Sequence, residues 1–162
     1  MTTTPAHPQL RIGHVHLKVA EMDRALAFWH GLIGLEVTQR MGSRAAFLSA
    51  GGYHHHIALN TWESAAGTPP APGTTGLYHV ALLYPDRAAL AGALKRLVAA
   101  DWPLEGAADH GVSEAIYLRD PDGNGVELYR DRPEAEWPRD ASGQLNMNNA
   151  PFDLRALLAE AA

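Results

Sequence analysis

Two stretches of this chain open in the same way, and that repetition constrains the fold more than any other feature. Gly13-His14-Val15 and Tyr78-His79-Val80 each set a histidine inside an apolar strand pattern, and each precedes an acidic helix cap, Asp23 or Asp86, by a similar distance. In the first copy residues 11–19 alternate with Ile12, Val15, Leu17 and Val19 as the apolar members, which predicts a strand. A helix follows from Asp23 through Ala25, Leu26, Phe28, Trp29, Leu32 and Ile33 to Gly34. Three strands fit over 35–41, 44–50 and 53–61, parted by Gly42-Ser43 and Gly51-Gly52. The second copy runs as a strand over 76–84, then a helix capped by Asp86 with Leu90, Leu94, Leu97 and Val98 on one face, ending near Trp102-Pro103. Strands then fit at 104–108, 113–119 and 125–130, the last two joined by the turn residues Asp120-Pro121-Asp122-Gly123-Asn124-Gly125.

The chain therefore reads as an α+β protein built from two paired βαβββ modules, 10–62 and 76–131. A Pro-, Gly- and Thr-rich linker over 63–75 joins them, a loose arm covers 1–9, and a C-terminal extension covers 132–162. The extension carries Pro133, Pro138 and Pro151 before a short helical signal at 152–161. Two copies of one module suggest pseudo-twofold packing; an ordinary α+β domain without a repeat is the alternative.

Composition narrows the chemistry. At 162 residues there is chain for one ordinary core, and a net charge of −5 argues against nucleic acid or an anionic membrane as the main partner. No apolar run approaches a membrane span, and Met1 to Pro8 lack the basic and apolar regions of a signal peptide, so a soluble cytoplasmic protein is expected. With no cysteine and nine histidines, a metal site has to use imidazole and carboxylate.

Strand alternation sorts these groups onto faces. Val15, Leu17 and Val19 point at the helix and leave His14, His16 and Lys18 on the other side. Tyr78, Val80 and Leu82 share one face of the next strand, His79 and Ala81 the other. Val126 and Leu128 take the core face and turn Glu127 outward; by the same count Tyr117, between Ile116 and Leu118, points with Glu127. An acid in that setting has to be paired, solvated or bound to metal. Two histidines and one glutamate are the donor set of a non-haem iron(II) site, although any one strand histidine can equally be a polar residue over a cavity.

The segments GHVHLKV (13–19), GLYHVALL (76–83) and YLRDPDGNGVELY (117–129) resemble the vicinal oxygen chelate superfamily, which includes glyoxalase I, bleomycin-resistance proteins and extradiol dioxygenases. The resemblance covers about 10–131 and implies a U-shaped, partly open barrel of paired modules, with His14, His79 and Glu127 as metal ligands. Glyoxalase-type members add a fourth protein ligand where this chain has Ile57, so three ligands and three vacancies are implied, as in the extradiol enzymes. Tyr53-His54-His55-His56-Ile57-Ala58 is similar to their acid–base segment; matching on Ala58 assigns that role to His55, with His54 and His56 facing away or supporting it and His16 lining the cavity.

Tyr117 resembles the tyrosine set against the substrate oxygen, and His110 a further active-site histidine, an exposed loop histidine being the alternative. The implied activity is that of an iron(II)-dependent extradiol, catechol 2,3-dioxygenase-like enzyme taking an aromatic diol and dioxygen, with Mn(II) as an alternative metal. A glyoxalase-like lyase or isomerase using Ni or Zn, or a metal-free drug-binding protein, is the rival. A homodimer is expected, because members of this superfamily often associate and Trp137 and Phe152 are large apolar groups in the extension.

Overall fold

The computed structural model describes residues 4–161. In the first module β1 (Val15–Lys18) leads into α1 (Met22–Leu26), which continues as a π-helical turn over Ala27–Leu32. Strands β2 (Glu36–Met41), β3 (Ala45–Ser49) and β4 (Ile57–Asn60) follow. The second module repeats the order with β5 (Val80–Tyr84), α2 (Arg87–Ala99), β6 (Leu104–Asp109), β7 (Ser113–Arg119) and β8 (Gly125–Asp131). The two sheets have corresponding orders, β1-β4-β3-β2 and β5-β8-β7-β6, each with its first strand parallel to its last. The repeat in sequence is thus a repeat in three dimensions.

The C-terminal residues extend the second module. Strand β9 (Ala150–Pro151) pairs with β6 and makes its sheet five-stranded, and α3 (Leu154–Leu158) packs on α2 with Leu157 fully buried. The Asp153 carboxylate caps α3 by accepting from the N–H groups of Arg155 and Ala156.

Several predicted boundaries move, each for a local reason. Helix α1 is capped by Glu21 rather than Asp23, because the Glu21 carboxylate accepts from the N–H groups of Asp23 and Arg24 at 2.9 and 2.7 Å. The π-helical turn inserts a residue and buries both Phe28 and Trp29. On α2, Leu90, Leu94 and Leu97 are buried as expected, while Val98 turns out to solvent. The strand predicted over 53–61 begins only at Ile57: Gly51 and Gly52 carry the chain round a turn at positive φ, leaving Tyr53–His56 outside the regular strand. The strand predicted over 76–84 begins at Val80, and Tyr78, predicted to share a face with Val80 and Leu82, is 84% exposed.

The modules meet through their helices and the β7–β8 turn. Phe28 packs on Trp102 with ring centroids 5.0 Å apart, and Arg96 donates to the carbonyls of Leu32 and Ile33 at the end of the π-helical turn. Within the turn, Asp120 Oδ1 accepts from the N–H groups of Asp122 and Asn124, while its Oδ2 accepts from Trp29 Nε1 at 3.3 Å. Asp122 accepts from Arg24 at 2.6 Å and from the Ala20 N–H at 3.0 Å. Burial pushes the Asp120 carboxyl up, against the lowering effect of its hydrogen bonds from Asn124, Asp122 and Trp29. Among the described residues no ladder joins the two sheets, so β1 and β5 are both edge strands there.

Candidate active site

Four of the expected residues converge on the second sheet. In the β7–β8 ladder Tyr117 stands directly opposite Glu127, and in the β5–β8 ladder Ala81 does. His79 lies two residues before Ala81, and alternation brings it to the same face. Its Nε2 is 2.8 Å from Glu127 Oε2, and its Nδ1 is buried with no hydrogen-bond partner among the described residues. Gly125 makes this approach possible: a Cβ there would lie 2.0 Å from the Tyr78 carbonyl oxygen, so only glycine lets β8 run so close to the backbone at His79. A cavity of about 180 Å³ opens beside them, lined by His79, Tyr117, Tyr78 and Val126 among others.

Tyr117 connects this pair to His110. The Tyr117 hydroxyl is 2.6 Å from His110 Nε2 and 3.4 Å from Glu127 Oε1. His110 Nδ1 is 2.9 Å from the Asn148 carbonyl, which can only accept, so that nitrogen carries the proton. In a neutral imidazole Nε2 is then the acceptor, and Tyr117 donates to it. Burial first, then the negative charge of Glu127, push the Tyr117 phenol up to about 12. It remains a donor throughout the physiological range.

A second group forms on the first sheet. His14 directly precedes β1 and is exposed. The Val15 N–H donates to the His56 carbonyl at 2.9 Å, which draws His14 alongside the loop before β4 and sets its ring 4.3 Å from that of His55. His55 also stands edge-on to Phe47, and its Nδ1 is 2.7 Å from His54 Nδ1, so His54 supports it. Burial, followed by the neighbouring imidazoles of His14, His54, His16 and His56, holds the His55 imidazole below its ordinary range.

His56 turns away to Ser49, its Nδ1 2.9 Å from the hydroxyl. His16 meets the Asn60 amide and lies edge-on to Trp62; burial and then His14 lower its pKa. His55 is therefore placed beside His14 by a loop contact, not by the strand alternation that predicted its direction.

A metal bound by two histidines and one carboxylate needs three donors around one point. Among the described residues, no group of three or more His, Cys, Asp or Glu side chains is close enough to hold a metal ion. His79 and Glu127 form a two-donor pair with one orphaned ring nitrogen, and His14 stands with other imidazoles. One chain by itself does not fit the expected iron centre.

Sequence reasoning missed Asn148, whose carbonyl acts on His110 across 38 residues and whose N–H donates back to the His110 carbonyl. A backbone carbonyl has no side-chain signature, so only the pairing of the extension with β6 reveals it.

The model of the Glyoxalase/Bleomycin resistance protein/Dioxygenase superfamily matches residues 11–128. The chain is 41% identical to a catechol-2,3-dioxygenase of Bacillus subtilis (strain 168), over 98% of its own length and 54% of the relative's. It is 31% identical to biphenyl-2,3-diol 1,2-dioxygenase 3 of Rhodococcus globerulus, over 81% of this chain and 66% of that one. The chain thus spans about half the length of the first of these relatives and about two thirds of the second. A glyoxalase/dioxygenase from Nostoc punctiforme superposes with a TM-score of 0.64 at 17% identity, covering 82% of this chain and 100% of that one, which is a likeness of fold. No described helix is long and apolar enough to cross a membrane.

Proposed function

We propose that this chain, which belongs to the Glyoxalase/Bleomycin resistance protein/Dioxygenase superfamily, is an extradiol ring-cleaving dioxygenase acting on a catechol-like aromatic diol with dioxygen. The observation that carries this reading is the row His110–Tyr117–Glu127–His79 on one face of the second sheet, beside a small cavity. Its similarity to two dioxygenases named for aromatic diols supports it. The reading requires Fe(II), or Mn(II) in its place, with His14, His79 and Glu127 as its ligands.

The chain's own residues have distinct tasks. Tyr117, whose hydroxyl gives its one proton to His110, is left to accept from a substrate hydroxyl and so orients it. His55, kept neutral by its surroundings, is suited to accept a hydroxyl proton from the diol and return one later. Such a pair favours a substrate that must lose protons on binding and regain one as the ring opens.

The test is direct. Protein reconstituted with Fe(II) under anaerobic conditions is mixed with catechol in air, with dioxygen uptake and the yellow ring-fission product followed together. Equimolar consumption of catechol and dioxygen supports the reading. Absence of uptake with both Fe(II) and Mn(II), across catechols of different ring substitution, overturns it.

A further inference from the structure

A cavity of about 270 Å³ opens at the end of β6, beside β9, and no residue lining it has a task in the proposed reaction. Gly111, at φ +75°, lets two walls close over it: a Cβ there would lie 2.8 Å from the Pro138 ring and 3.0 Å from Asn148 Nδ2. A cavity of ~150 Å³ already holds benzene, so this one has room for a small ligand.

Two of its walls carry donors that the fold leaves over. Arg132 gives Nη2 to Asp109 and Glu114 at 2.5 and 3.1 Å and Nε to Asp109 at 3.4 Å. Its Nη1 makes no hydrogen bond among the described residues; Glu136, at the rim and 57% exposed, stands 3.9 Å away. Asn148 bonds to His110 through its main chain alone, which leaves its side-chain amide over. Behind Arg132 the enclosed charges do not balance. Arg87, Arg130 and Arg132 share Glu114 and Asp109, three guanidinium groups against two carboxylates. The excess is met by Glu136 and Glu160 at the surface, where an ion pair is weak.

We propose that this cavity binds a small carboxylate, which replaces Glu136 at Arg132 Nη1 and accepts from the Asn148 side-chain amide. The Pro138 ring and Ala150 give the rest of the ligand apolar cover. The site is an effector site, because the Asn148 carbonyl takes the His110 Nδ1 proton and so directs the Tyr117 hydroxyl. A ligand that fixes Asn148 fixes that chain of contacts. Ring cleavage beside a diol leaves a conjugated chain ending in a carboxylate, so the product of the proposed reaction belongs to this ligand class.

Titration calorimetry of the full chain with sorbate (a conjugated six-carbon carboxylate), acetate and the uncharged amide of sorbate tests the site. Sorbate should bind saturably, one per chain, acetate more weakly, and the amide not at all. Glu136→Gln should tighten sorbate binding a few-fold, the scale of an exposed ion pair and a gain that misfolding cannot produce. Asn148→Ala, which keeps the carbonyl on His110, should weaken it about tenfold. Ala150→Phe should fill the cavity and abolish it. Hydrogen exchange at the Asn148 N–H should slow on binding.

No saturable binding to either wild type or Glu136→Gln overturns the site. Sorbate affinity that none of the three substitutions changes overturns it too, since the ligand is then held elsewhere. Binding that follows the substitutions but leaves Asn148 exchange unchanged overturns the link to His110. None of these readouts involves catechol or dioxygen, so the site stands or falls apart from the dioxygenase reading.

Discussion

The hydroxyl of Tyr117 lies 2.6 Å from Nε2 of His110, and the proton in that contact belongs to the tyrosine. The assignment follows from the other side of the ring, where the Asn148 carbonyl takes the Nδ1 proton at 2.9 Å. A strap from the C-terminal extension thereby decides which way a residue on β7 points its hydrogen. The same hydroxyl reaches Glu127 at 3.4 Å, so orientation of the phenol and of the carboxylate are linked.

Because His110 acts through Tyr117, their substitutions should not add. Tyr117→Phe removes the orienting hydroxyl and should lower kcat by about 10²-fold, the scale of losing one positioned hydrogen-bonding group. His110→Phe should cost less alone and almost nothing further in the Tyr117→Phe background. Steady-state kinetics on the four proteins of the cycle checks this; full additivity contradicts it.

His55 should be dispensable for binding and important for turnover. His55→Phe should leave metal content and catechol affinity close to wild type and lower kcat by about 10²–10⁴-fold, the range of a positioned acid–base group. A nitro-substituted catechol, which loses its protons without help, should suffer less. Metal loss in the variant would instead make His55 a ligand.

Glu114 is the anchor of a buried charge cluster. It is only 4% exposed and accepts from Arg87, Arg130 and Arg132 at 3.0, 2.9 and 3.1 Å. Glu114→Ala leaves three guanidinium groups without their shared carboxylate and should destabilise the fold by about 3–5 kcal/mol. Urea denaturation measures it, and a change below 1 kcal/mol, roughly the value of a surface pair, would show the cluster to be solvated.

Acid should weaken the same region through Asp109. Burial raises its pKa, but the hydrogen bond from Arg132, the Gly111 N–H and the charges of Arg132 and Arg130 together hold the carboxyl below its ordinary 3.8. The folded state thus binds its proton less readily than the unfolded chain. This contribution to stability is complete above the unfolded pKa and is lost as pH falls through the folded one. Asp109→Asn should therefore flatten the fall in stability below about pH 4, as followed by thermal unfolding; an unchanged slope there would contradict the pairing.

Much of the fold was legible because its signals are local. The alternation of Val126, Glu127 and Leu128 puts two side chains against α2 and one on the opposite face, and the structure keeps that arrangement. Asp86 caps α2 as its spacing before Leu90 suggests. Tyr117 and Glu127 could be set on one face by counting from Asp120 to Gly125, since a tight turn leaves little freedom in the register of the strands it joins. His55 was harder to place. Counting along 53–61 assumed strand backbone from Tyr53 onward, whereas the regular strand begins only at Ile57, and the contact with His14 arises from the Val15–His56 hydrogen bond instead.

By itself, the sequence determined the two βαβββ modules, the faces of their strands and the set of imidazoles and carboxylates available, because each depends on residues within a few positions of one another. Tertiary structure alone decided which of those groups meet. Trp29 reaching Asp120, Arg96 holding the end of the π-helical turn and Asn148 turning His110 are contacts across 38 to 91 residues, and no local pattern encodes them. The first two lock the modules together, and among the described residues β1 and β5 are left as separate edges, so His14 stands apart from His79 and Glu127. Periodicity assigns a side chain to a face; only the packing of whole modules determines what that face confronts.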